Sequence, residues 1–290
     1  MKPDFEKVVI VGVGLIGASL GIDLLRQKMA RCIVGIGRSR ANLLVARRKK
    51  AITHIFSGRL LEEAWKGADL IILATPVAAM DYYFKSLRQA AKKGYLKKRL
   101  VITDVGSTKA GILRSAHRSL GSCHIPFVGA HPIAGTENSR AKAAFSGLYK
   151  KKICVVTHEA RTPLWAVRKV QGMWRGVGAH VKIMKASQHD ILLAHCSHLP
   201  HMVAYSLVHA LLAQPKALGL AGGGFRDFTR IASSDPEMWR DICVENQEAL
   251  LQAIRHFEQK LSSLKTMIRK REGRLLSRYF EKAREVRRRI

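Results

Sequence analysis

The sequence predicts an α/β domain, built on a doubly wound and mostly parallel sheet over residues 1–184, followed by an all-α domain over residues 185–290. Short apolar runs alternate with helix-like segments as far as about residue 184, and such runs form parallel strands that are buried on both faces. Beyond that point the runs stop, and apolar residues recur with helical spacing. A chain of 290 residues is long enough for two such domains.

The apolar runs are the predicted strands of the first domain. Helix-like segments separate most of them, so the chain alternates between strand and helix as βαβ units do. The runs lie at residues 8–11, 32–36, 70–74, 100–103, 127–130, 153–156 and 181–184.

The second domain is predicted to be wholly helical. A helical pattern covers residues 187–213, with Pro200 inside it, and a glycine-rich break follows at residues 219–224. A long helix is then expected to begin at Asp235, which can cap it, with Pro236 at its first position.

That long helix carries a continuous apolar seam. Its apolar residues recur at alternating spacings of four and three, so they share one face. Such a face needs another helix against it, and we therefore expect a homodimer formed through the C-terminal helices. The seam consists of Leu250, Ile254, Phe257, Leu261, Leu264 and Ile268.

The composition is that of a globular protein, with 47% hydrophobic and 25% charged residues. There is no run of about 18 apolar residues to predict a transmembrane helix, and the first residues lack the apolar core of a signal peptide. The five cysteines are widely spaced and include no CxxC pair, which favours free thiols in a reducing compartment. We therefore expect a cytoplasmic protein with no membrane partner.

The chain is strongly basic. Lys and Arg number 51 against 21 Asp and Glu, which gives a formal net charge of +30. A positive field of this size attracts polyanions, so nucleic-acid binding is one alternative. The basic residues are spread along the whole chain, however, and no zinc-finger or RNP-type aromatic motif accompanies them. We expect a small anionic substrate and no specific nucleic-acid partner.

A glycine-rich loop follows the first predicted strand. Its sequence is Gly12-Val13-Gly14-Leu15-Ile16-Gly17, a G-x-G-x-x-G motif between a strand and a helix. In this motif the first glycine permits a tight turn, the second lets the backbone approach a pyrophosphate, and the third allows close packing of helix on strand. The helix N-terminus adds free amides and a positive dipole. The loop predicts a Rossmann-like domain that binds a dinucleotide cofactor.

The end of the second strand favours NADP over NAD. NAD-preferring domains place a carboxylate about 20 residues beyond the motif to bind the ribose 2′-hydroxyl. Here the segment is Gly37-Arg38-Ser39-Arg40, which has no carboxylate and two guanidinium groups that suit a 2′-phosphate. Thr75, Pro76 and Asp104, near the ends of later strands, are further candidate cofactor-binding residues.

Five more segments combine polar residues with a characteristic order. They are DVGSTK at residues 104–109, GAHPIAGTE at 129–137, SHLPH at 197–201, GGGFRDFTRIASSDP at 222–236 and MWRDI at 238–242. Together with the glycine loop they resemble the prephenate/arogenate dehydrogenase family of tyrosine biosynthesis, over nearly the whole chain. The resemblance implies a Rossmann domain, a helical dimerisation domain and an active site between them. It also implies NAD(P)-dependent oxidative decarboxylation of prephenate to 4-hydroxyphenylpyruvate, or of arogenate to tyrosine.

The resemblance implies His131 as the catalytic base. A neutral imidazole can accept the proton of the substrate's 4-hydroxyl near pH 7, with an ionisation expected near 6.5. Ser107 is expected to bond that hydroxyl or the imidazole. Arg230 resembles the family's arginine that binds the side-chain carboxylate.

The remaining candidate substrate-binding residues belong to the same segments. We expect no metal site, because the histidines have no acidic or cysteine ligand at a suitable spacing. The candidates are Ser197, His198, His201, Thr136, Glu137 and Trp239.

Three alternatives remain open from the sequence. Prephenate is favoured because nearby histidines and a basic field suit an added ammonium poorly, but arogenate, or both substrates in a bifunctional cyclohexadienyl dehydrogenase, would need few changes. Another two-domain dehydrogenase, acting on hydroxyacids or imines, would usually carry a catalytic lysine where this chain has histidines and Arg230. A non-catalytic cofactor sensor that binds nucleic acid would have no use for Ser107, His131 and Arg230 together.

Overall fold

The computed structural model describes residues 3–136 and 138–289. Its first domain contains one eight-stranded sheet in the order β3-β2-β1-β4-β5-β6-β7-β8. The strands are β1 (Phe5–Val11), β2 (Ala30–Ile36), β3 (His54–Ile55), β4 (Leu70–Leu73), β5 (Val101–Asp104), β6 (Phe127–Pro132), β7 (Ile153–Thr157) and β8 (His180–Ile183). The helices of this domain are α1 (Leu15–Arg26), α2 (Arg40–Arg48), α3 (Met80–Lys92), α4 (Ala110–Leu120) and α5 (Leu164–Gly176).

The central strand explains why the sheet is covered on both sides. In β1, Val8 and Ile10 pack into one hydrophobic cluster, and Val9 and Val11 pack into another. Because successive strand residues face opposite sides of a sheet, the two clusters lie on its two faces. Helices α1 and α5 contribute to the first cluster, and α3 and α4 to the second. The predicted doubly wound α/β architecture is confirmed.

The sheet is parallel from β3 across to β6 and then reverses. The β6–β7 pair is antiparallel, with His131 opposite Val155, and β8 runs parallel to β7. The apolar runs predicted β7 and β8 but not their direction, because a buried apolar run can form a parallel or an antiparallel strand. The reversal extends β6 as far as Pro132, so His131 lies within a hydrogen-bonded strand.

The second domain is helical, as predicted. Its helices are α6 (Ala186–Leu193), α7 (Leu199–Ala210), α8 (Gly223–Thr229), α9 (Pro236–Glu245), α10 (Gln247–Arg269) and α11 (Gly273–Arg287). A π-helical turn over Ala194–His198 joins α6 to α7 in one continuous helical stretch, Ala186–Ala213, and Pro200 lies inside it directly after this turn, as predicted.

The expected long helix is divided in two. It begins as predicted, because the Asp235 carboxylate caps α9 by accepting hydrogen bonds from the backbone N–H groups of Glu237 and Met238 at 2.9 and 3.1 Å. It ends at Asn246, whose backbone leaves the helical region (φ −113°, ψ 32°), and α10 starts at the next residue. The prediction of one uninterrupted helix was wrong, since the apolar periodicity continues across this break.

The apolar seam of α10 is mostly uncovered in the single chain. Leu250 is buried, but Phe257, Leu261 and Ile268 are 36%, 53% and 58% exposed. Exposed apolar side chains in a continuous row mark a surface that another chain can cover.

One stretch of this domain is long and apolar enough, by length and composition, to cross a membrane. It comprises Ala186–Ala213, with a mean hydropathy of 1.2 and 22% of its most apolar window buried. The expectation that no segment would meet such a test was therefore too strict, because it counted only uninterrupted apolar runs. The same stretch holds the buried polar residues His189, Asp190 and His198, and all three make hydrogen bonds within the protein.

Candidate active site

The glycine loop adopts the geometry that its sequence predicts. Gly12 has φ +86°, and a Cβ there would lie 2.3 Å from the carbonyl oxygen of Ala74. A Cβ on Gly17 would lie 2.3 Å from the Gly12 carbonyl oxygen, so both positions require glycine. Around Gly14 nothing lies within 4 Å of the Cβ position. The loop therefore leaves open space at its second glycine, where a dinucleotide phosphate can approach the backbone.

The helix that follows the loop is suited to an anion. Helix α1 begins at Leu15, has no acidic residue in its first turn, and has no side chain capping its N-terminal amides. Free amides at a helix N-terminus bind phosphate through hydrogen bonds and the helix dipole. Beside the loop, the hydroxyl oxygen of Thr75 is buried without a hydrogen-bond partner among the described residues. These features fit a dinucleotide cofactor.

The segment after β2 is solvent-exposed and basic. Arg38, Ser39 and Arg40 are all exposed, and Arg40 opens α2. Ser39 caps this helix, since its hydroxyl accepts a hydrogen bond from the Asn42 N–H at 3.3 Å. The hydroxyl hydrogen of Ser39 is still available to a ligand.

Asp104 lies inside the protein, so its expected contact with a cofactor is not available to its side chain. It is fully buried and forms an ion pair with the equally buried Lys109. It also accepts hydrogen bonds from the N–H groups of Gly106 and Ala130 at 2.8 and 3.0 Å. Lys109 in turn donates to the Ala130 carbonyl at 2.9 Å. This buried pair therefore ties the end of β5 to β6 at Ala130, the residue directly before His131.

His131 is hydrogen-bonded to a residue of the helical domain. Its Nδ1 lies 2.8 Å from Nε2 of His189 on α6. The Nδ1 of His189 lies 2.7 Å from a carboxylate oxygen of Asp190. That carboxylate accepts hydrogen bonds from the backbone N–H groups of Lys109 and Ala110, both at 2.8 Å. The two domains thus meet in a His–His–Asp chain.

The surroundings keep the imidazole of His131 neutral. Burial lowers its pKa well below the usual 6.5, and the neighbouring His189 and Lys109 lower the pKa further. The expected ionisation near 6.5 is therefore corrected downward. A histidine with a lowered pKa is ready to accept a proton at neutral pH.

Asn246 connects this chain to a second histidine. Its side-chain amide donates to the Asp190 carbonyl oxygen at 2.9 Å and lies 3.1 Å from Nδ1 of His198. Since the Asp190 carbonyl can only accept, the nearby Asn246 atom is the NH₂ group, which donates its second hydrogen to His198. His198 then carries its own hydrogen on Nε2. That atom is buried and has no partner among the described residues.

His198 stays neutral in this position. Burial lowers its pKa from 6.5 to about 4, although the charge of Asp190 acts in the opposite direction. Next to it, the indole N–H of Trp239 is also buried without a partner in the described chain. The two rings lie edge to face, with centroids 6.0 Å apart. An orphaned pair of buried N–H donors is costly unless a ligand accepts from them.

Arg230 and His201 complete the group on the helical side. The ring of His201 stacks on Trp239 at 3.7 Å, and its Nδ1 donates to the Ser197 carbonyl oxygen at 2.9 Å. Burial lowers the pKa of His201, the Ser197 carbonyl opposes this, and the positive charge of Arg230 lowers the pKa further. This effect on the pKa shows that the charge of Arg230 lies near His201.

The other predicted site residues make few side-chain hydrogen bonds. Ser107 follows β5, in the sheet next to the strand of His131, and its hydroxyl makes no hydrogen bond to a described residue. The Ser197 side chain is partly buried. Thr136 is exposed, and its hydroxyl accepts from the Asn138 N–H at 3.2 Å. Glu137, the remaining candidate, lies outside the described residues.

Sequence reasoning missed His189, Asp190, Lys109 and Asn246. One signal was present, because His189 and Asp190 form a polar pair directly before the apolar Ile191, Leu192 and Leu193. Among residues 3–136 and 138–289, no three His, Cys, Asp or Glu side chains are grouped so that they could hold a metal ion. All five cysteines are free thiols, as predicted.

A Rossmann-like domain, a glycine loop suited to a dinucleotide and a neutral histidine at the domain boundary define a two-domain, nicotinamide-dependent oxidoreductase. Two family models match the chain. "Prephenate dehydrogenase, nucleotide-binding domain" matches residues 21–183, and "Prephenate dehydrogenase, dimerization domain" matches residues 185–282. The chain belongs to the prephenate dehydrogenase family, and the predicted resemblance is confirmed.

Named relatives are similar to this protein over nearly its full chain. A cyclohexadienyl dehydrogenase from Zymomonas mobilis is 33% identical, over 98% of this chain and 95% of its own length. A prephenate dehydrogenase from Bacillus subtilis is 32% identical, over 97% of this chain and 75% of its own length. The structure of Aquifex aeolicus prephenate dehydrogenase in complex with hydroxyphenyl propionate and NAD+ has a TM-score of 0.89 and 34% identity, and the match covers 97% of each chain.

Proposed function

We propose that this protein oxidises and decarboxylates prephenate to 4-hydroxyphenylpyruvate and CO₂ in tyrosine biosynthesis, with NADP as the preferred cofactor. The observation that carries the proposal is the unbroken series of contacts from His131 through His189, Asp190 and Asn246 to His198. This series brings a neutral base from the Rossmann domain to the polar residues of the helical domain. An open dinucleotide loop lies in the same Rossmann domain.

The chemistry requires a group that holds one proton for a short time. A bound nicotinamide supplies the acceptor for the hydride that leaves C4. His131 accepts the proton of the 4-hydroxyl, so that its oxygen can form a carbonyl as the C4–H bond breaks. When CO₂ departs and the ring becomes aromatic, the resulting phenolate takes a proton back. Ser107 is proposed to bond the hydroxyl or the imidazole and to fix their geometry.

The helical domain is proposed to bind the substrate's side chain. The N–H groups of His198 and Trp239 are buried donors without partners in the described chain, and an oxygen atom of the substrate would satisfy them. Arg230 supplies a planar cation that can hold the side-chain carboxylate with two hydrogen bonds. We propose that Ser197, His201, Thr136 and Glu137 line the rest of the pocket.

Prephenate suits these donors better than arogenate does. The two compounds differ in a side-chain carbonyl, which accepts hydrogen bonds, and an ammonium, which donates them. One observation favours arogenate as a second substrate. Because His201 donates from Nδ1, its Nε2 is an acceptor that an ammonium could use. The relative from Zymomonas mobilis bears the name cyclohexadienyl dehydrogenase, which is consistent with such a bifunctional enzyme.

An assay of cofactor reduction at 340 nm, with each substrate against each cofactor, tests the proposed function. We expect prephenate to be oxidised with the higher kcat/KM, together with release of CO₂. If neither substrate led to cofactor reduction, the proposal would be overturned. Faster oxidation of arogenate would reverse the substrate assignment.

The cofactor is proposed to lie on the loop from Gly12 to Gly17, with Leu15 and Ile16 supplying amides at the start of α1. Thr75 and Pro76 are proposed to border the same site, because the backbone of Thr75 lies against Gly12 and its buried hydroxyl has no partner among the described residues. The Aquifex aeolicus protein was crystallised with NAD+. The preference of this chain for NADP is therefore proposed from its own residues 37–40.

The variant Arg38→Ala is expected to lower the kcat/KM ratio of NADP to NAD by about tenfold or more. The reason is that a guanidinium bonded to a phosphate typically contributes about 1.5–3 kcal/mol. Steady-state kinetics with both cofactors measures the ratio. Arg47→Ala, an exposed arginine in the last turn of α2, is the matched control. A wild-type preference for NAD, unchanged by Arg38→Ala, would contradict the proposal.

Self-association is supported by the matched dimerization domain, and we propose a homodimer that covers the α10 seam. The double variant Phe257→Asp and Leu261→Asp is expected to dissociate the dimer or to unfold it, because it buries two carboxylates in an apolar contact. Sedimentation at micromolar concentration measures the effect. Ser263→Asp, an exposed position away from the seam, is the control. A wild-type monomer would refute this arrangement.

We also place the protein in the cytoplasm, where five free thiols stay reduced.

A further inference from the structure

The His–His–Asp chain has only one consistent arrangement of protons in its resting state. Burial acts to raise the pKa of Asp190, but the hydrogen bond from His189 and the backbone N–H groups of Ala110 and Lys109 outweigh it, so the net pKa is lowered. The carboxylate is thus ionised and can only accept hydrogen bonds. His189 must therefore carry its hydrogen on Nδ1, which faces Asp190.

This arrangement fixes the tautomer of His131 as well. With hydrogen on Nδ1, the Nε2 of neutral His189 is an acceptor, so the hydrogen between the two rings belongs to Nδ1 of His131. The lone pair of His131 is then on Nε2. That nitrogen has no hydrogen-bond partner among the described residues, and His131 is partly exposed. The one basic nitrogen left to His131 is the accessible one.

We propose that Asp190 and His189 are positioning residues, which hold His131 in the tautomer that presents its Nε2 lone pair to the substrate hydroxyl, and that His189 takes up the Nδ1 hydrogen of His131 when the substrate proton arrives. The inference rests on the proposed function. It assigns roles in proton handling to two residues of the helical domain that the sequence did not single out.

The proton balance of the step is complete within the chain. The O–H bond of the substrate breaks, its proton goes to Nε2 of His131, and its electron pair forms the ring carbonyl. The Nδ1 hydrogen of His131 can then move to Nε2 of His189, which becomes an imidazolium next to the Asp190 carboxylate. Asp190 itself stays ionised throughout. After decarboxylation the same movements in reverse return the proton to the phenolate.

The other charged groups around His131 do not offer an alternative path. Lys109 and Asp104 are buried at the ends of β5 and β6 and form an ion pair with each other. Burial raises the pKa of Cys154, which lies on β7 opposite Pro132, so its thiol stays protonated. His198 lies further along the helical domain and directs Nδ1 to Asn246. Only His189 bonds to the imidazole of His131 among the residues that the structure describes.

The variant Asp190→Asn separates positioning from simple packing. The Asp190 oxygen that faces Nδ1 of His189 also accepts from the Lys109 N–H, so an amide at residue 190 keeps an oxygen there but loses the negative charge that holds the His189 hydrogen on Nδ1. His131 is then less firmly held in its Nδ1–H tautomer, and we expect kcat to fall by about tenfold or more with little change in KM. Gln188→Ala, at an exposed position next to His189, is the matched control and is expected to keep wild-type activity.

The variant His189→Gln tests the sharing of the proton. The glutamine oxygen can still accept from Nδ1 of His131, so the tautomer is kept, but an amide cannot take up a proton. We expect a smaller loss of kcat than in Asp190→Asn and a shift in the acid limb of the pH profile. If Asp190→Asn fails to fold, this variant and the wild-type spectrum described next carry the test.

Nitrogen NMR of ¹⁵N-histidine-labelled full-length protein gives a measurement that is independent of activity. Wild-type His131 is expected to show the Nδ1–H tautomer, and Asp190→Asn a larger fraction of the Nε2–H tautomer. A wild-type Nε2–H tautomer, or an Asp190→Asn variant with kcat within about threefold of wild type, would overturn the inference. A wild-type protein inactive on both prephenate and arogenate would instead overturn the proposed function, and the tautomer would still be measured.

Discussion

Replacing His131 with Asn is expected to lower kcat by about 10²–10⁴-fold while KM changes little. The imidazole takes up the hydroxyl proton in the transition state, and an amide of similar size cannot. Because His131 lies outside the glycine loop, the affinity for the cofactor is expected to remain. Steady-state kinetics with prephenate and fluorescence titration with reduced cofactor measure the two effects.

The pH profile of the wild type provides the control for this variant. The base acts in its neutral form, and burial together with nearby positive groups lowers the pKa of His131 well below 6.5. The rate is therefore expected to stay constant as the pH falls through 6.5 and to decline only at lower pH, where His131 becomes protonated. His131→Asn is expected to remove this acid limb. A near-normal kcat in the variant, with the limb intact, would show that another group is the base, and His201 would be the next candidate.

Replacing Arg230 with Ala is expected to act mainly on KM. The guanidinium would pair with the substrate carboxylate in the ground state as well as in the transition state, so its loss weakens both by about 2–4 kcal/mol if the pair is desolvated. This corresponds to an increase in KM of roughly 30- to 900-fold. The measurement is the dependence of rate on prephenate concentration at saturating cofactor.

Two variants help to interpret this result. Arg240→Ala removes an exposed arginine of α9 that pairs with its neighbour Asp241, so it changes the net charge equally without touching the site. Arg230→Lys keeps the charge but loses the planar fork, and we expect an intermediate KM. If Arg230→Ala and Arg240→Ala raised KM by the same small factor, the effect would come from the overall positive field, and the assignment of Arg230 would fail.

The features that the sequence predicted are those with a local physical cause. The glycines at residues 12 and 17 are required because a Cβ would collide with backbone carbonyl oxygens. Asp235 and Pro236 start a helix through contacts within three residues. His131 was singled out because a histidine at the end of a strand lies where open α/β sheets bind ligands, and because the motif around it is distinctive.

The features that escaped prediction depend on partners distant in the sequence. His189 acts on His131, which is 58 residues away, and nothing in the local pattern around His189 specifies that contact. Asn246 interrupts a helix whose apolar spacing continues, because its side chain bonds to Asp190 and His198. Asp104 looked like a cofactor residue at a strand end, but its partner Lys109 draws it into the interior. The antiparallel direction of β7 depends on pairing rather than on composition.

The hydrogen bond between His131 and His189 crosses from one domain to the other, so the proposed base is held in place only in a molecule whose two domains have docked. We expect a chain with a correctly folded Rossmann domain but a detached helical domain to bind cofactor through its glycine loop, while its His131 is solvated and free to change tautomer. Such partly assembled molecules, which are common during the folding of two-domain chains, would hold cofactor without turning over substrate. Activity per bound cofactor is therefore expected to report how much of the protein in a preparation has reached its final assembly.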